Sequence, residues 1–214
     1  MQGLYLVTPN WDDTDQLLAV TEQALQAGKG SIALLQYRHK DAGPARRRAQ
    51  ATALLALCRR YGVPFIVNDF VELCQEIGAD GVHLGGTDAG VAAVRAQLGA
   101  GKIIGASCYG DLALAVAAQD DGASYVAFGG FYPSLVKKYD FVTRPELLDQ
   151  ARAVIRVPTV VIGGMTPQNA APLVARGADM VAAITSVYRT ENQADSVARA
   201  VHAFAALFSR PVAG

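Results

Sequence analysis

Short apolar runs recur at regular intervals along the chain, and they limit its fold more than any other feature. The eight runs cover residues 4–7, 32–35, 65–67, 81–84, 103–106, 125–128, 159–162 and 180–183. Runs of this length, rich in β-branched and aromatic residues, are typical of buried strands. The stretches between them carry apolar residues at helical spacing, as in residues 17–25 and 51–58. The pattern therefore predicts eight strands that alternate with eight helical segments.

Alternating strands and helices predict an α/β protein with a single (β/α)8 TIM barrel over residues 1–214. A length of 214 residues suits one such domain. The alternative is a doubly wound open sheet, but its G-x-G-x-x-G signature after the first strand is absent. Glycines that follow the helical stretches are predicted to end each helix in the left-handed conformation; they are Gly28, Gly62, Gly78, Gly122 and Gly177.

Charge and cysteine content exclude several functional classes. Nineteen basic and nineteen acidic residues give a formal net charge of zero, which argues against nucleic-acid or anionic-membrane surfaces. No apolar run is long enough to span a bilayer, and we expect no signal peptide. Cys58, Cys74 and Cys108 are odd in number and scattered, which indicates free thiols in a cytoplasmic compartment. Small-molecule ligands are the expected partners, and the sequence leaves homo-oligomer formation open.

Polar side chains follow the second predicted strand in an alternating pattern. Gln36, Arg38 and Lys40 should point to one side of an extended segment. An amide and two cations converging at one place suit a polyanion such as pyrophosphate. The alternative is an ordinary solvated strand end. His83, by contrast, lies inside a predicted strand and is expected to be packed rather than catalytic.

Further polar residues follow the other strands, where a barrel of this type places its active site. They are Asn68 and Asp69, Asp88, Ser107, Ser134 and Lys137, Gly163 and Gly164, and Thr185 and Ser186. Asp69 and Asp88 come from neighbouring strands, and two carboxylates beside a polyphosphate suit Mg²⁺. Each aspartate taken alone could instead be a helix N-cap.

The last two strand ends resemble a phosphate site. Gly163-Gly164 and Thr185-Ser186 occupy the positions where barrels of this type bind phosphate through backbone N–H groups. A plain tight turn is the alternative. The loop at 129–139 carries Ser134 and Lys137, and its length predicts a mobile lid.

Taken in order, these motifs make the chain similar to the thiamine-phosphate synthase family. The resemblance runs from Gly3 to about Phe208. Its motifs are Leu4-Tyr5-Leu6-Val7-Thr8, Gln36-Tyr37-Arg38-His39-Lys40, Val67-Asn68-Asp69, Gly81-Val82-His83-Leu84-Gly85 with Asp88, Gly105-Ala106-Ser107, the loop through Lys137, and Ile162-Gly163-Gly164-Met165.

The resemblance implies a transferase that joins hydroxymethylpyrimidine pyrophosphate to hydroxyethylthiazole phosphate and releases pyrophosphate. It implies that the pyrophosphate is held by Gln36, Arg38, Lys40, Asn68 and Lys137, that Asp69 and Asp88 hold Mg²⁺, and that Ser107 lies beside the pyrimidine. It also implies that Ser134, Gly164, Thr185 and Ser186 hold the thiazole phosphate. The catalytic set would then be Arg38, Ser107 and Lys137.

Two departures from the family pattern affect the thiazole-phosphate contacts. The loop has Ser134 and Val136 where the family usually has two threonines, and Thr185-Ser186-Val187 replaces Ser-Ala-Ile. A related thiazole tautomerase shares the fold, but it would carry a histidine where this chain has Gly130. A non-catalytic regulatory barrel would keep the pocket without the reaction. A generic phosphate-binding isomerase or lyase would need a base or Schiff-base lysine in the strand interiors, which supply none.

Overall fold

The computed structural model is a closed barrel of eight parallel strands, with helices between successive strands. The structure describes residues 1–86, 90–134, 140–188 and 194–209. Asp88 and Lys137, two of the predicted site residues, lie outside this part. The barrel and the positions of all eight predicted strands are confirmed.

The strands follow in chain order around the barrel. They are β1 (Gly3–Val7), β2 (Ile32–Tyr37), β3 (Phe65–Asn68), β4 (Gly81–Leu84), β5 (Ile103–Tyr109), β6 (Tyr125–Phe128), β7 (Thr159–Val161) and β8 (Met180–Ala183). The helices are α1 (Thr14–Ala27), α2 (Pro44–Tyr61), α3 (Val71–Ile77), α4 (Val91–Leu98), α5 (Leu112–Asp120), α6 (Glu146–Val154), α7 (Pro167–Ala175), α8 (Thr185–Tyr188) and α9 (Ala194–Ala205).

Alternate strand residues form two separate apolar layers. The inner layer fills the barrel, and its members are Tyr5, Val7, Leu34, Ile66, Tyr125, Ala127, Val160, Met180 and Ala182. The outer layer packs the opposite strand faces against the helices; Leu4, Leu6 and Leu35 belong to it. Because successive side chains of a strand point to opposite faces, each strand contributes residues to both layers. The interior of the barrel is therefore a packed core, and ligands must bind at its end.

The N-terminal ends of the strands are tied together by charged side chains. The Asp80 carboxylate accepts a hydrogen bond from the Phe65 backbone N–H at 2.8 Å. The Asp179 carboxylate accepts one from the Thr159 N–H at 2.8 Å. The Arg95 guanidinium, on α4, donates to the Gly122 carbonyl and the Ser124 hydroxyl ahead of β6. These contacts satisfy backbone groups that have no ladder partner, so this face stabilises the fold.

Several local predictions need correction. Gly62 and Gly78 do end α2 and α3 in the left-handed conformation, but Gly28 ends α1 at φ −94°. A Cβ at Gly28 would collide with the side chains of Ile32 and Val201, so this glycine allows close packing. β5 also runs on to Tyr109 through a register shift between Ser107 and Tyr109, since an extra residue enters the strand there.

Candidate active site

One cavity opens at the C-terminal ends of the strands and collects most of the predicted site residues. Its volume is about 210 Å³, and its wall includes Gln36, Arg38, Lys40, Asn68, Asp69, Ser107, Ser134, Gly164 and Thr185. A larger groove of about 720 Å³ lies outside the barrel, between α5 and α6. We assign the site to the smaller cavity because cations, amides and hydroxyls from six strand ends converge there.

The end of β2 delivers the predicted anion-binding row. Gln36, Arg38 and Lys40 line the cavity, while the residues between them turn outward. The Tyr37 hydroxyl donates to the Gln50 side-chain oxygen at 2.9 Å, and burial raises the Tyr37 pKa to about 12. His39 is 4% exposed. The alternation predicted from the sequence is therefore realised, because every second residue is buried against α2.

Thr8 fixes the backbone of this row from the neighbouring strand end. Its N–H donates to the Gln36 carbonyl at 3.0 Å, and its hydroxyl accepts a hydrogen bond from the Arg38 N–H at 2.8 Å. Thr8 is fully buried, so both contacts are shielded from water. The position of the Arg38 backbone is thus set by β1 as well as by β2.

Asp69 stands at the cavity wall and does not cap a helix. Its carboxylate lies 3.2 Å from the Lys40 ammonium, and its backbone has φ +64°. The N-cap of α3 is Phe70, so the capping alternative does not hold for Asp69. A left-handed non-glycine residue is often found at functional sites.

One described carboxylate at this wall, that of Asp69, is of the type that Mg²⁺ prefers. Asp69 supplies a hard oxygen ligand next to a row that suits a polyphosphate, and Mg²⁺ takes few protein ligands when phosphate oxygens and waters complete its shell. Among the residues that the structure describes, no group of three or more histidine, cysteine, aspartate or glutamate side chains could hold a metal. Asp88, the second predicted ligand, lies outside the described part.

The residues that follow β7 and β8 line the same cavity; they include Gly163, Gly164 and Thr185. Gly163 and Gly164 have φ +103° and +60°, a conformation that favours glycine. The Gly164 carbonyl accepts a hydrogen bond from the Asn169 amide at 2.9 Å, which fixes the turn against α7. Ser186 follows Thr185 but is not among the described residues that line the cavity; its hydroxyl is buried and has no hydrogen-bond partner in the described part of the chain. A buried hydroxyl in this state is suited to a ligand.

The loop after β6 is described up to Ser134, which lines the cavity. Its base is tied to the barrel, because the Gly129 N–H donates to the Tyr109 carbonyl at 2.7 Å and the Thr143 N–H donates to the Gly130 carbonyl at 2.9 Å. The predicted lid covers residues 129–139, and its part at 135–139, which includes Lys137, lies outside the described ranges. That part of the prediction stays a prediction.

A chain of hydrogen-bonded side chains crosses the floor of the cavity, and the sequence analysis missed it. The Gln36 amide donates to the Tyr5 hydroxyl at 2.5 Å, which lies 2.7 Å from the Tyr125 hydroxyl. His83 lies 2.8 Å from the Tyr125 hydroxyl through Nδ1 and 2.9 Å from the Ser107 hydroxyl through Nε2. His83 is packed, as expected, but it also lines the cavity. The period-2 alternation of β1 and β6 was a signal that could have placed both tyrosines inside the barrel.

Burial keeps the two phenols of this floor uncharged. The loss of hydration raises the pKa of Tyr5, and it raises the pKa of Tyr125 well above the ordinary value. Both phenols therefore carry their hydrogens at physiological pH. The remaining wall is apolar and includes Ile162, Met165 and Ile184. The cavity can hold a flat polar ring. The hydrogen-bonding side chains of the floor would lie on one side of the ring, and the charged residues Arg38, Lys40 and Asp69 would lie on the other.

Comparisons with known proteins agree with this geometry. The family model for thiamine monophosphate synthase matches residues 4–187. The chain belongs to the thiamine monophosphate synthase family. The matched segment contains every predicted site residue, from Gln36 to Ser186.

Individual members of the family resemble the chain over nearly its full length. The thiamine-phosphate synthase of Janthinobacterium sp. (strain Marseille) is 60% identical over 210 residues, with 98% of each chain covered. That of Xanthomonas campestris pv. campestris (strain 8004) is 49% identical, with 98% and 97% covered. The solved thiamine phosphate pyrophosphorylase from Pyrococcus furiosus superposes with a TM-score of 0.81 at 28% identity, covering 96% and 95% of the two chains.

More distant structures share the fold alone. A 3-hexulose-6-phosphate synthase superposes with a TM-score of 0.70 at 18% identity, covering 98% of this chain and all of the other. Within the described residues, no helix is both long and apolar enough to cross a membrane. The likenesses to named synthases do not favour a tautomerase or a regulatory barrel.

Proposed function

We propose that this member of the thiamine monophosphate synthase family forms thiamine phosphate from hydroxymethylpyrimidine pyrophosphate and hydroxyethylthiazole phosphate. The observation that carries the proposal is that two groups of residues suited to anions line one cavity. The row of Gln36, Arg38 and Lys40 lines it after β2, and Gly164 and Thr185 line it after β7 and β8. Two phosphorylated substrates that react with each other need this arrangement, with a shared space between their phosphate sites.

The reaction breaks the bond between the pyrimidine methylene carbon and the pyrophosphate oxygen, and the electron pair leaves with the pyrophosphate. The thiazole nitrogen then donates its lone pair to the methylene carbon and forms the new C–N bond. The aminopyrimidine ring can stabilise the positive charge in between, so no protein nucleophile is required. The protein must hold the two reactants in line and stabilise charge on the leaving group.

Named residues of this chain supply these tasks. Arg38 and Lys40 stabilise the departing pyrophosphate, assisted by Gln36, Asn68 and Lys137. Ser107 contacts the pyrimidine. The thiazole phosphate is held by Ser134, Gly164, Thr185 and Ser186. The apolar wall of Ile162, Met165 and Ile184 limits access of water to the reacting carbon.

Asp69 and Asp88 are the residues that would hold Mg²⁺ in this proposal. A bound Mg²⁺ would neutralise charge that develops on the pyrophosphate. Asp69 also pairs with Lys40, so the carboxylate keeps that ammonium beside the pyrophosphate position. We further propose that the reaction takes place in the cytoplasm, since Cys58, Cys74 and Cys108 are all free and buried.

The direct test mixes protein, Mg²⁺ and both substrates and measures thiamine phosphate and pyrophosphate by chromatography. We expect the two products in equal amounts, and none when either substrate is left out. Pyrophosphate release without thiamine phosphate would show a hydrolase and contradict the proposal. Formation of neither product by folded protein would contradict it as well.

A further inference from the structure

The floor chain joins five side chains from five strands into one continuous path. It begins at Gln36 on β2 and passes through Tyr5 on β1, Tyr125 on β6 and His83 on β4 to Ser107 on β5. Its four links measure 2.5, 2.7, 2.8 and 2.9 Å. Both ends of the path, Gln36 and Ser107, line the cavity. The path thus connects two side chains that face the cavity from different sides of the barrel.

The hydrogen atoms along this path can be placed by counting. The Gln36 amide nitrogen donates to the Tyr5 oxygen. Among the described residues, the single Tyr5 hydrogen then has an acceptor only if it points to the Tyr125 oxygen, since an unused buried donor is costly. Tyr125 then directs its own hydrogen to His83 Nδ1, which must be an acceptor. A neutral imidazole that accepts at Nδ1 carries its hydrogen on Nε2 and donates to the Ser107 oxygen. Ser107 is left with its own hydrogen for the cavity.

The competing assignment is a hydrogen on His83 Nδ1. Tyr125 would then accept hydrogen bonds from both Tyr5 and His83, and its own hydrogen would have no acceptor in the described part of the chain. An unpaired hydroxyl donor at a fully buried position is costly, so this assignment is disfavoured. The low-dielectric interior increases the difference between a satisfied and an unsatisfied chain.

An independent feature of the backbone keeps Tyr125 in its place. A Cβ added at Gly105 would collide with the outer atoms of the Tyr125 ring, its hydroxyl included. The missing side chain at position 105 therefore leaves the space in which the phenol meets both Tyr5 and His83. The ring also stacks on His83, with centroids 5.7 Å apart and an interplanar angle of 14°. β5 therefore carries both Ser107 and the glycine that leaves space for Tyr125.

We propose that Tyr125 and His83 are positioning residues that hold Ser107 as a hydrogen-bond donor to the pyrimidine substrate. The identity of this substrate rests on the proposed function. An aminopyrimidine carries ring nitrogens that accept hydrogen bonds, and a serine oxygen that already accepts from His83 keeps its own hydrogen to donate to one of them. The path thereby selects a ring with an acceptor at this point, and neither Tyr125 nor His83 takes part in the chemical step.

The first test measures the His83 tautomer in ligand-free protein by nitrogen-15 NMR. The His83 signals are assigned by their loss in His83→Gln, which separates them from those of His39 and His202. We expect the hydrogen on Nε2. A hydrogen on Nδ1 would overturn the proposal, whatever the activity of the protein.

The second test is a double-mutant cycle with Tyr125→Phe and Ser107→Ala. In the wild-type background we expect Tyr125→Phe to lower kcat/KM for the pyrimidine substrate about tenfold, the effect of one hydrogen bond. In the Ser107→Ala background the loss should be less than about twofold, since Tyr125 acts only through Ser107. Equal losses in both backgrounds would show a general structural effect and contradict the proposal.

Two further variants separate positioning from packing. His83→Gln keeps an N–H near the Nε2 position and should retain most of kcat/KM, whereas His83→Leu should lose as much as Tyr125→Phe. Equal activity of these two variants, with both folded, would overturn the proposal. Tyr188→Phe is the matched control, because it removes a buried hydroxyl that pairs with Thr21 at 3.0 Å, outside the path; the KM of this variant for the pyrimidine substrate should not change.

The failure of this inference can be told from the failure of the proposed function. Wild-type protein that forms no thiamine phosphate would contradict the proposed function, whereas active protein with the Nδ1 tautomer would contradict only this inference.

Discussion

The two ends of the barrel use the same kind of carboxylate for opposite purposes. At the N-terminal end, Asp179 accepts hydrogen bonds from the Thr159 N–H at 2.8 Å and the Thr159 hydroxyl at 3.1 Å. At the C-terminal end, Asp69 pairs with Lys40, a side chain that is 53% exposed. The Asp179 carboxylate stabilises the fold because its partner is a backbone N–H. The Asp69 carboxylate faces a half-exposed ammonium, so it can exchange this partner for a ligand. The partner of a charged group is thus a better guide to its role than its burial.

The largest effect should come from Asp69. We expect Asp69→Asn, or excess chelator on the wild type, to lower the rate of thiamine phosphate formation about a thousandfold, because a bound cation contributes several kcal/mol of charge stabilisation. Asparagine tolerates the left-handed backbone at this position, so thermal unfolding should change little. Full turnover in chelator would remove the metal from the proposal.

Arg38 should show the next largest effect. Arg38→Ala removes one charged donor from the pyrophosphate row and should lower kcat about a hundredfold. Lys102→Ala is the control from the other end of the barrel, where its ammonium donates to the Ala79 carbonyl at 2.6 Å. That variant should keep kcat and lower the melting temperature. The comparison of the two ends fails if Lys102→Ala loses activity while Arg38→Ala does not.

Asp179 should affect stability and leave catalysis unchanged. Asp179→Ala leaves the Thr159 N–H without its acceptor, which should lower the free energy of unfolding by about 1–3 kcal/mol. Urea denaturation measures this loss, and kcat below the transition should equal that of the wild type. A fall in kcat with unchanged stability would show that Asp179 acts in catalysis and would contradict its assignment as a residue that stabilises the fold.

A pair of serines should show the smallest effects. Ser186→Ala should raise KM for the thiazole phosphate about tenfold, the effect of one hydrogen bond, and leave stability unchanged because the Ser186 hydroxyl has no partner in the described residues. Ser124→Ala should do the reverse, since its hydroxyl accepts from the Ile104 N–H at 3.1 Å. Steady-state kinetics and urea denaturation on both variants separate the two outcomes.

The sequence was sufficient for the fold and for much of the cavity wall. Apolar runs predict strands because a barrel buries both faces of each strand, and polar residues after a strand must lie at its C-terminal end. That reasoning brought Gln36, Arg38, Asp69 and Ser107 to one cavity without any knowledge of distances. Their roles stay predictions.

Other features could not be predicted because they depend on contacts across the barrel. Tyr5, His83 and Tyr125 lie on strands that are not neighbours, so their hydrogen bonds follow from barrel closure and shear rather than from any local pattern. The extension of β5 to Tyr109 depends on a register shift that apolar spacing does not reveal. The reason for Gly28 was predicted wrongly, because this glycine makes room for Ile32 and for Val201, and the second of these is far away in the sequence.

The space that Gly105 leaves for Tyr125 links the histories of two positions. A side chain at 105 would displace the ring of Tyr125 from its place, whereas a smaller residue at 125 would leave room for one. We therefore expect a side chain at 105 to be tolerated best where position 125 has lost the phenol. Among diverging barrels of this type, position 105 should therefore record whether the floor of the site is still hydrogen-bonded.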